Sequence, residues 1–181
     1  MNKTTSFLGA DPGLNGGLAI VAIVDRAAPV LVECIDIPVT GTGAKERADV
    51  AAIRNFINRH RPGHALIERA GAHPGQGVSS TFKYGRAVGA IEAAVALCSV
   101  PMEIVEPSAW KKFYKLPGKE KERARQLALE KFSAAHAMLA RRSDHGRAES
   151  ALIALYGVER ERQRTSTLPH SPSGGTNELA A

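Results

Sequence analysis

Apolar residues first gather in two short runs, Phe7 to Ala10, which closes on Asp11, and Leu18 to Val24, with a Gly-rich stretch from Pro12 to Gly17 between them. Runs of this length, rich in β-branched residues and separated by a glycine turn, predict a hairpin. A third strand is expected over Val30 to Ile37, alternating Val30, Val32 and Cys34 with Leu31, Glu33 and Ile35. After a Gly/Thr-rich loop, Thr40 to Lys45, the period changes. Val50, Ile53 and Ile57 recur at spacings of three and four, one face of a helix that ends near Arg61-Pro62.

His64 to Glu68 reads as a short apolar strand ending in an acid, and Gly71 to Gly77 as a loop. A long helix follows from about Ser79 to Cys98, with Gly85, Gly89 and Ala93 on one stripe. Small residues at that spacing admit a second backbone, either the chain's own sheet or another molecule. Met102 to Val105 is the fifth strand and Pro107 to Gly118 a basic, aromatic connection. A helix is expected from Lys119 to about Leu139, with Leu127, Ala128, Phe132 and Ala135 in its core stripe, and a last helix from near Asp144 to about Arg162. Three strands followed by alternating helix and strand is an α/β order, distinct from the alternating βαβ order of a dinucleotide-binding sheet. It matches the β-β-β-α-β-α-β-α plan of the ribonuclease H-like fold, a mixed five-stranded sheet with helices on both faces.

A chain of 181 residues buries one proper core, so a single domain is expected over residues 1–162. Residues 163–181 are Ser/Pro/Gly-rich and poorly apolar from Thr165 onward, which predicts a disordered tail. No apolar stretch approaches the roughly 20 residues a membrane helix needs, and the first residues lack a signal-peptide core, so a cytoplasmic protein with no membrane partner is expected. Cys34 and Cys98 form no C-x-x-C pair and read as packing residues. The formal net charge of +6 attracts polyanions, with nucleic acid the leading partner.

Candidate chemistry sits in three acidic elements. Asp11 and Glu68 each end an apolar strand, and acids at the ends of neighbouring strands converge. Ionised carboxylates so placed repel one another, and a hard cation offsets that cost. The third element is Asp144-His145-Gly146-Arg147-Ala148-Glu149. His145 and Glu149, four apart, share a helix face, whereas Asp144 joins Glu149 only from the non-helical entry to that helix. Each acid has a plainer reading. Asp11 suits a turn before Pro12-Gly13, Asp144 suits an N-cap, and Glu149 suits a solvated helix position, although Ala148, Ala151 and Leu152 are its neighbours. The three in this order are harder to explain separately.

With these residues in view, the chain resembles the RuvC family of Holliday junction resolvases, particularly its phage-type members. Leu8 to Gly13 is similar to the family's first-strand motif, Leu66-Ile67-Glu68 to its fourth-strand motif, and Ala148 to Ala154 to its final-helix motif, over roughly residues 6 to 158. The resemblance implies a crossover junction endodeoxyribonuclease that nicks a four-way DNA junction in pairs, working as a homodimer. It implies a Mg²⁺ centre in which Mn²⁺ substitutes, with Asp11, Glu68 and Glu149 as ligands and a fourth from Asp144 or His145. Two features depart from the family pattern. Gly146 stands three before Glu149 where the family often has an Asp, and Ala70 to Gly77 lacks the aromatic wedge of the bacterial enzymes.

Basic residues follow the fifth strand. Lys111, Lys112, Lys115, Lys119, Lys121, Arg123 and Arg125 are interleaved with Trp110, Phe113 and Tyr114, and Lys83 and Arg86 lie on the long helix. All suit phosphate contacts. Trp110 and Phe113 are expected to anchor the connection, and the resemblance puts Lys111 and Lys121 near the scissile phosphate. Two other functions fit parts of the pattern. Asp11 to Gly17 is similar to the phosphate loop of actin-like and sugar-kinase ATPases, which need a second domain that 181 residues leave no room for. A catalytically silent junction-binding protein would use the basic band alone.

Overall fold

The computed structural model describes residues 4–24, 27–69, 71, 75, 77–116 and 121–167. Its seven strands are β1 (Thr4–Asp11), β2 (Gly17–Val24), β3 (Val30–Asp36), β4 (Val39–Thr40), β5 (Arg47–Ala48), β6 (His64–Glu68) and β7 (Met102–Val105). The helices are α1 (Val50–His60), α2 (Val78–Leu97), α3 (Pro107–Phe113), α4 (Lys121–Lys131) and α5 (His145–Thr167). The main sheet runs β3-β2-β1-β6-β7, with β1, β2 and β3 antiparallel and β1, β6 and β7 parallel.

Alternation along the central strands divides the core in two. Phe7, Ala19, Val21 and Leu66 face α4 and α5, while Leu8, Ala10, Leu18, Ile20, Ala65 and Ile67 face α1 and α2. The helices on both faces are amphipathic toward the sheet, Ile53, Phe56 and Ile57 on one side and Ala148, Ala151, Leu152 and Leu155 on the other. The expected α/β, ribonuclease H-like order is present, and no helix among the described residues is long and apolar enough to cross a membrane.

Several local expectations change. Strict alternation through β3 fails because a bulge intervenes: Ile20 pairs with Glu33 and Val21 with Leu31, leaving Val32 unpaired. Leu31 and Cys34 therefore both reach the α5-side core. Burial pushes the Cys34 thiol up to about 12, as suits a packing residue. The Gly/Thr-rich loop contains a small ribbon, β4 with β5. The stretch after β7 is helical over α3, where Pro107 occupies the first turn, a position that needs no N–H partner. The expected Lys119–Leu139 helix breaks after Lys131 into a 3₁₀ segment, Ser133–Met138. Phe132, Ala135 and Leu139 stay buried through the break, since their spacings of three and four suit either helix type. Helix α5 continues to Thr167, so residues 163–167 are helical, and the rest of the expected tail lies outside the described residues.

The small-residue stripe of α2 does not pack on its own sheet. That role falls to Ala87, Ile91, Ala94 and Val95, whereas a Cβ added at Gly85 or Gly89 meets no atom of the described residues within 4 Å. Val78 and Phe82, 87% and 65% exposed, begin the same outward face.

Candidate active site

Strand parity puts Asp11 and Glu68 side by side. Phe7 and Gly9 lie on the α5 face of β1, so Asp11 does too, and Glu68 follows Leu66 to that face of β6. Ala10 pairs with Ile67 in the parallel ladder, so Asp11 and Glu68 stand one step further along, at the carboxyl edge.

Helix α5 brings the third acid by lying unusually close to this edge. A Cβ at Gly9 would be 2.1 Å from the Ser150 carbonyl oxygen and 2.5 Å from the Ala154 nitrogen. A Cβ at Gly17 would be 2.6 Å from the Gly146 carbonyl carbon, and one at Gly146 would be 2.5 Å from that of Gly16. Backbone thus rests on backbone, and Glu149, between the Gly146 and Ser150 contacts, is carried to the same edge. The same contact explains the glycine three residues before Glu149: no side chain, acidic or otherwise, fits there.

Glu68 and Glu149 are only 9% and 8% exposed. The carboxyl of Glu68 is raised, chiefly by burial and further by the Glu149 charge, while the Trp110 hydrogen bond and the Lys111 charge oppose the rise. Trp110 Nε1 donates to Glu68 Oε2 at 2.6 Å, and the Lys111 ammonium lies 5.0 Å from the Trp110 ring centroid. Tyr84 senses the whole group. Burial first, then the Asp11, Glu68 and Glu149 charges, push its phenol up to about 12. Its ring edge would be 3.3 Å from a Cβ at Gly13, in the turn after Asp11. Tyr84 was not among the residues the sequence singles out, yet it falls one turn ahead of Ala87 on the buried stripe of α2, where a polar tip among apolar and small residues is a usable signal.

Among the described residues no three His, Cys, Asp or Glu side chains form a ready-made metal cage. The donor chemistry nevertheless suits a hard cation: the carboxylates offer only oxygen, are largely buried, and repel one another.

The two candidates for a fourth ligand separate clearly. Asp144 precedes α5 and is 1% exposed. It accepts from the Arg141 backbone N–H at 2.8 Å and from Arg141 Nε at 2.9 Å, with Arg147 Nε 3.9 Å away. Burial alone would raise its carboxyl, but the arginine bonds and charges outweigh it and hold the group below the usual range. His145, the first residue of α5, has a buried Nδ1 without a hydrogen-bond partner among the described residues and lies near Glu122.

Asp144→Asn is therefore expected to cost about 2 kcal/mol of stability at pH 7, the scale of lost hydrogen bonds to a buried charge. Because the folded-state pKa is depressed, this contribution is present above the unfolded value of about 3.9 and fades as pH falls through the folded one. Melting of wild type and variant should differ at pH 7 and converge in acid; equal melting at pH 7 would remove the structural role.

The basic residues flank the acids unevenly. Lys111 and Lys112 lie on α3 and Lys115 just after it, and Lys83 and Arg86 lie on α2, where Arg86 covers the Phe82 ring at 5.7 Å. Lys121 opens α4; its side chain, and all of Lys119, lie outside the described residues. Arg125 is committed to Glu122 at 2.6 Å and to the Leu139 carbonyl at 3.0 Å.

No protein-family model matches this sequence, and no curated protein matches it. Solved structures do. Thermus thermophilus RuvC in complex with Holliday junction substrate is 21% identical with a TM-score of 0.63, over 89% of this chain and 97% of that one. T. thermophilus RuvC alone gives 21% and 0.62, over 89% and 98%. The yeast mitochondrial Holliday junction resolvase Ydc2 gives 12% and 0.52, over 90% and 84%. At these identities the likeness establishes the fold alone, the α/β, ribonuclease H-like order expected from the sequence.

Proposed function

We propose that this protein is a structure-selective DNA endonuclease that resolves four-way junctions by paired, metal-dependent nicks. The observation that carries the reading is the meeting of Asp11, Glu68 and Glu149 at one sheet edge. The backbone around them matches proteins solved as junction resolvases, one of them on its junction.

In this reading Asp11, Glu68 and Glu149 hold Mg²⁺, or Mn²⁺ in its place. His145 is the favoured fourth ligand, because it shares a face with Glu149 and its buried Nδ1 meets no partner among the described residues. Asp144 instead staples the entry to α5 through Arg141. A divalent cation in such a site supplies charge stabilisation for phosphodiester hydrolysis and a more acidic water. The remaining work falls to the chain. Lys111, beside Glu68, suits the scissile phosphate, while Lys83, Arg86, Lys112 and Lys115 suit flanking phosphates, with Lys119 and Lys121 extending the band. The Tyr84 phenol stays protonated beside the acids.

Synthetic four-way junctions incubated with the protein and Mg²⁺, against linear duplex, test this function. Symmetric nicks in the junction alone support it. Metal-independent binding without nicks would favour a silent junction-binding protein, and ATP turnover without nicks would favour the ATPase reading.

Paired nicks need two sites on one two-fold junction, hence a two-fold dimer. The outward stripe of α2, where a Cβ added at Gly85 or Gly89 meets nothing within 4 Å among the described residues, supports that helix as the contact. Gly89→Leu is expected to leave the fold intact, shift the protein to a monomer in light scattering, and uncouple the two nicks. A wild-type protein that stays monomeric on a junction would sink the dimer.

A further inference from the structure

We propose that Trp110 is a positioning residue for the acidic centre, its indole N–H fixing Glu68 while its ring face holds the Lys111 ammonium. The inference rests on the metal-site reading above and adds to it a residue that touches neither substrate nor metal.

Trp110 is fully buried at the start of the chain's basic band, and α3 orients it across the sheet edge toward the end of β6. Its single polar atom reaches Glu68 Oε2 at 2.6 Å, a short bond between two buried groups. One carboxylate oxygen is thereby committed, the side chain is held in one rotamer, and the other oxygen is the one left for a ligand role. The aromatic quadrupole suits both contacts at once: the positive edge meets the anion, and the negative face meets the Lys111 ammonium 5.0 Å from its centroid. An anion and a cation are thus set at fixed places on one rigid ring. Partners of this kind commonly tune metal affinity by ten- to a hundredfold.

Trp110 is the only tryptophan in the chain, which makes the contact directly observable. Mn²⁺ added to the wild-type protein is expected to quench its tryptophan fluorescence, with weaker quenching in Glu68→Gln. Trp110→Phe keeps a ring face for Lys111 and removes only the N–H. Calorimetric titration with Mn²⁺ should show at least about tenfold weaker binding in this variant. The Mg²⁺ concentration for half-maximal junction cleavage should rise in parallel, with the rate recovering at saturating metal. If wild type binds Mn²⁺ in a Glu68-dependent way and Trp110→Phe binds it equally tightly, the positioning role is wrong and the metal site stands. If wild type shows no Glu68-dependent Mn²⁺ binding, the metal-site reading fails and takes this role with it. Should Trp110→Phe not fold, the single indole N–H resonance of the wild-type protein decides. It should lie downfield of an exposed indole and move in Glu68→Ala; a resonance at the exposed position, unmoved by that change, overturns the proposal.

Discussion

Asp11→Asn and Glu68→Gln should each lower Mg²⁺-dependent junction cleavage by about a thousandfold or more while leaving junction affinity within a few-fold of wild type. Each change removes one negative charge and almost no volume, so packing at the sheet edge is preserved. The lost charge is what balances a divalent cation, and stabilisation of charge at the reacting phosphate is commonly the largest contribution in such sites. Affinity for the junction rests instead on lysines and arginines facing phosphates, which neither substitution touches. Removing an anion beside Lys111 lowers repulsion of DNA, so any change in affinity should be toward tighter binding. Gel-shift and single-turnover cleavage on the same junction separate the two quantities. Cleavage near the wild-type rate by either variant would end the assignment of these acids, and a parallel loss of binding would move them to the DNA interface.

The second large effect is expected from a single methyl group that carries no charge. Gly9→Ala puts a Cβ 2.1 Å from the Ser150 carbonyl oxygen and 2.5 Å from the Ala154 nitrogen, both backbone atoms of α5 that no rotamer change can move aside. The helix must lift from β1, or the strand must bend. Either response opens the core built by Ala148, Ala151, Leu152 and Leu155. Forced overpacking of this kind costs about 3 kcal/mol or more, a large share of the 5–15 kcal/mol that holds a domain of this size together. Melting should fall by about 10 °C. Glu149 rides on the displaced helix, so cleavage in the surviving folded protein should fall as well. Unchanged melting would mean that α5 does not lie where the structure has it.

These two experiments probe different sources of the same site, and the sequence exposes them unequally. Asp11 and Glu68 are legible because a strand that ends in an acid advertises its edge, and alternation fixes which face the acid takes. The succession of strands and helices along the chain, and the buried face of α1, follow from periodicity and turn residues. Glu149 is legible as a residue, through its place on an apolar helix, but its arrival at the edge is a matter of how closely α5 approaches β1. Gly9, Gly17 and Gly146 allow that approach, and a glycine in sequence does not say whether it serves a turn or a contact.

What the sequence by itself determined is the order of elements, the faces they bury, and the two strand-end acids, because all of these depend on residues near one another in the chain. What only the tertiary structure decided depends mostly on residues far apart in the chain: Trp110 donating to Glu68, Tyr84 beside the acidic edge, and the glycine stripe of α2 turned away from its own sheet, with the short-range pairing of Asp144 to Arg141 and Arg147 added to them. A carboxylate that can cap a turn or bind a cation has the same local signature in both roles. Its choice is made by which charges the fold brings within a few ångströms, and Coulomb interaction at that range exceeds any local preference.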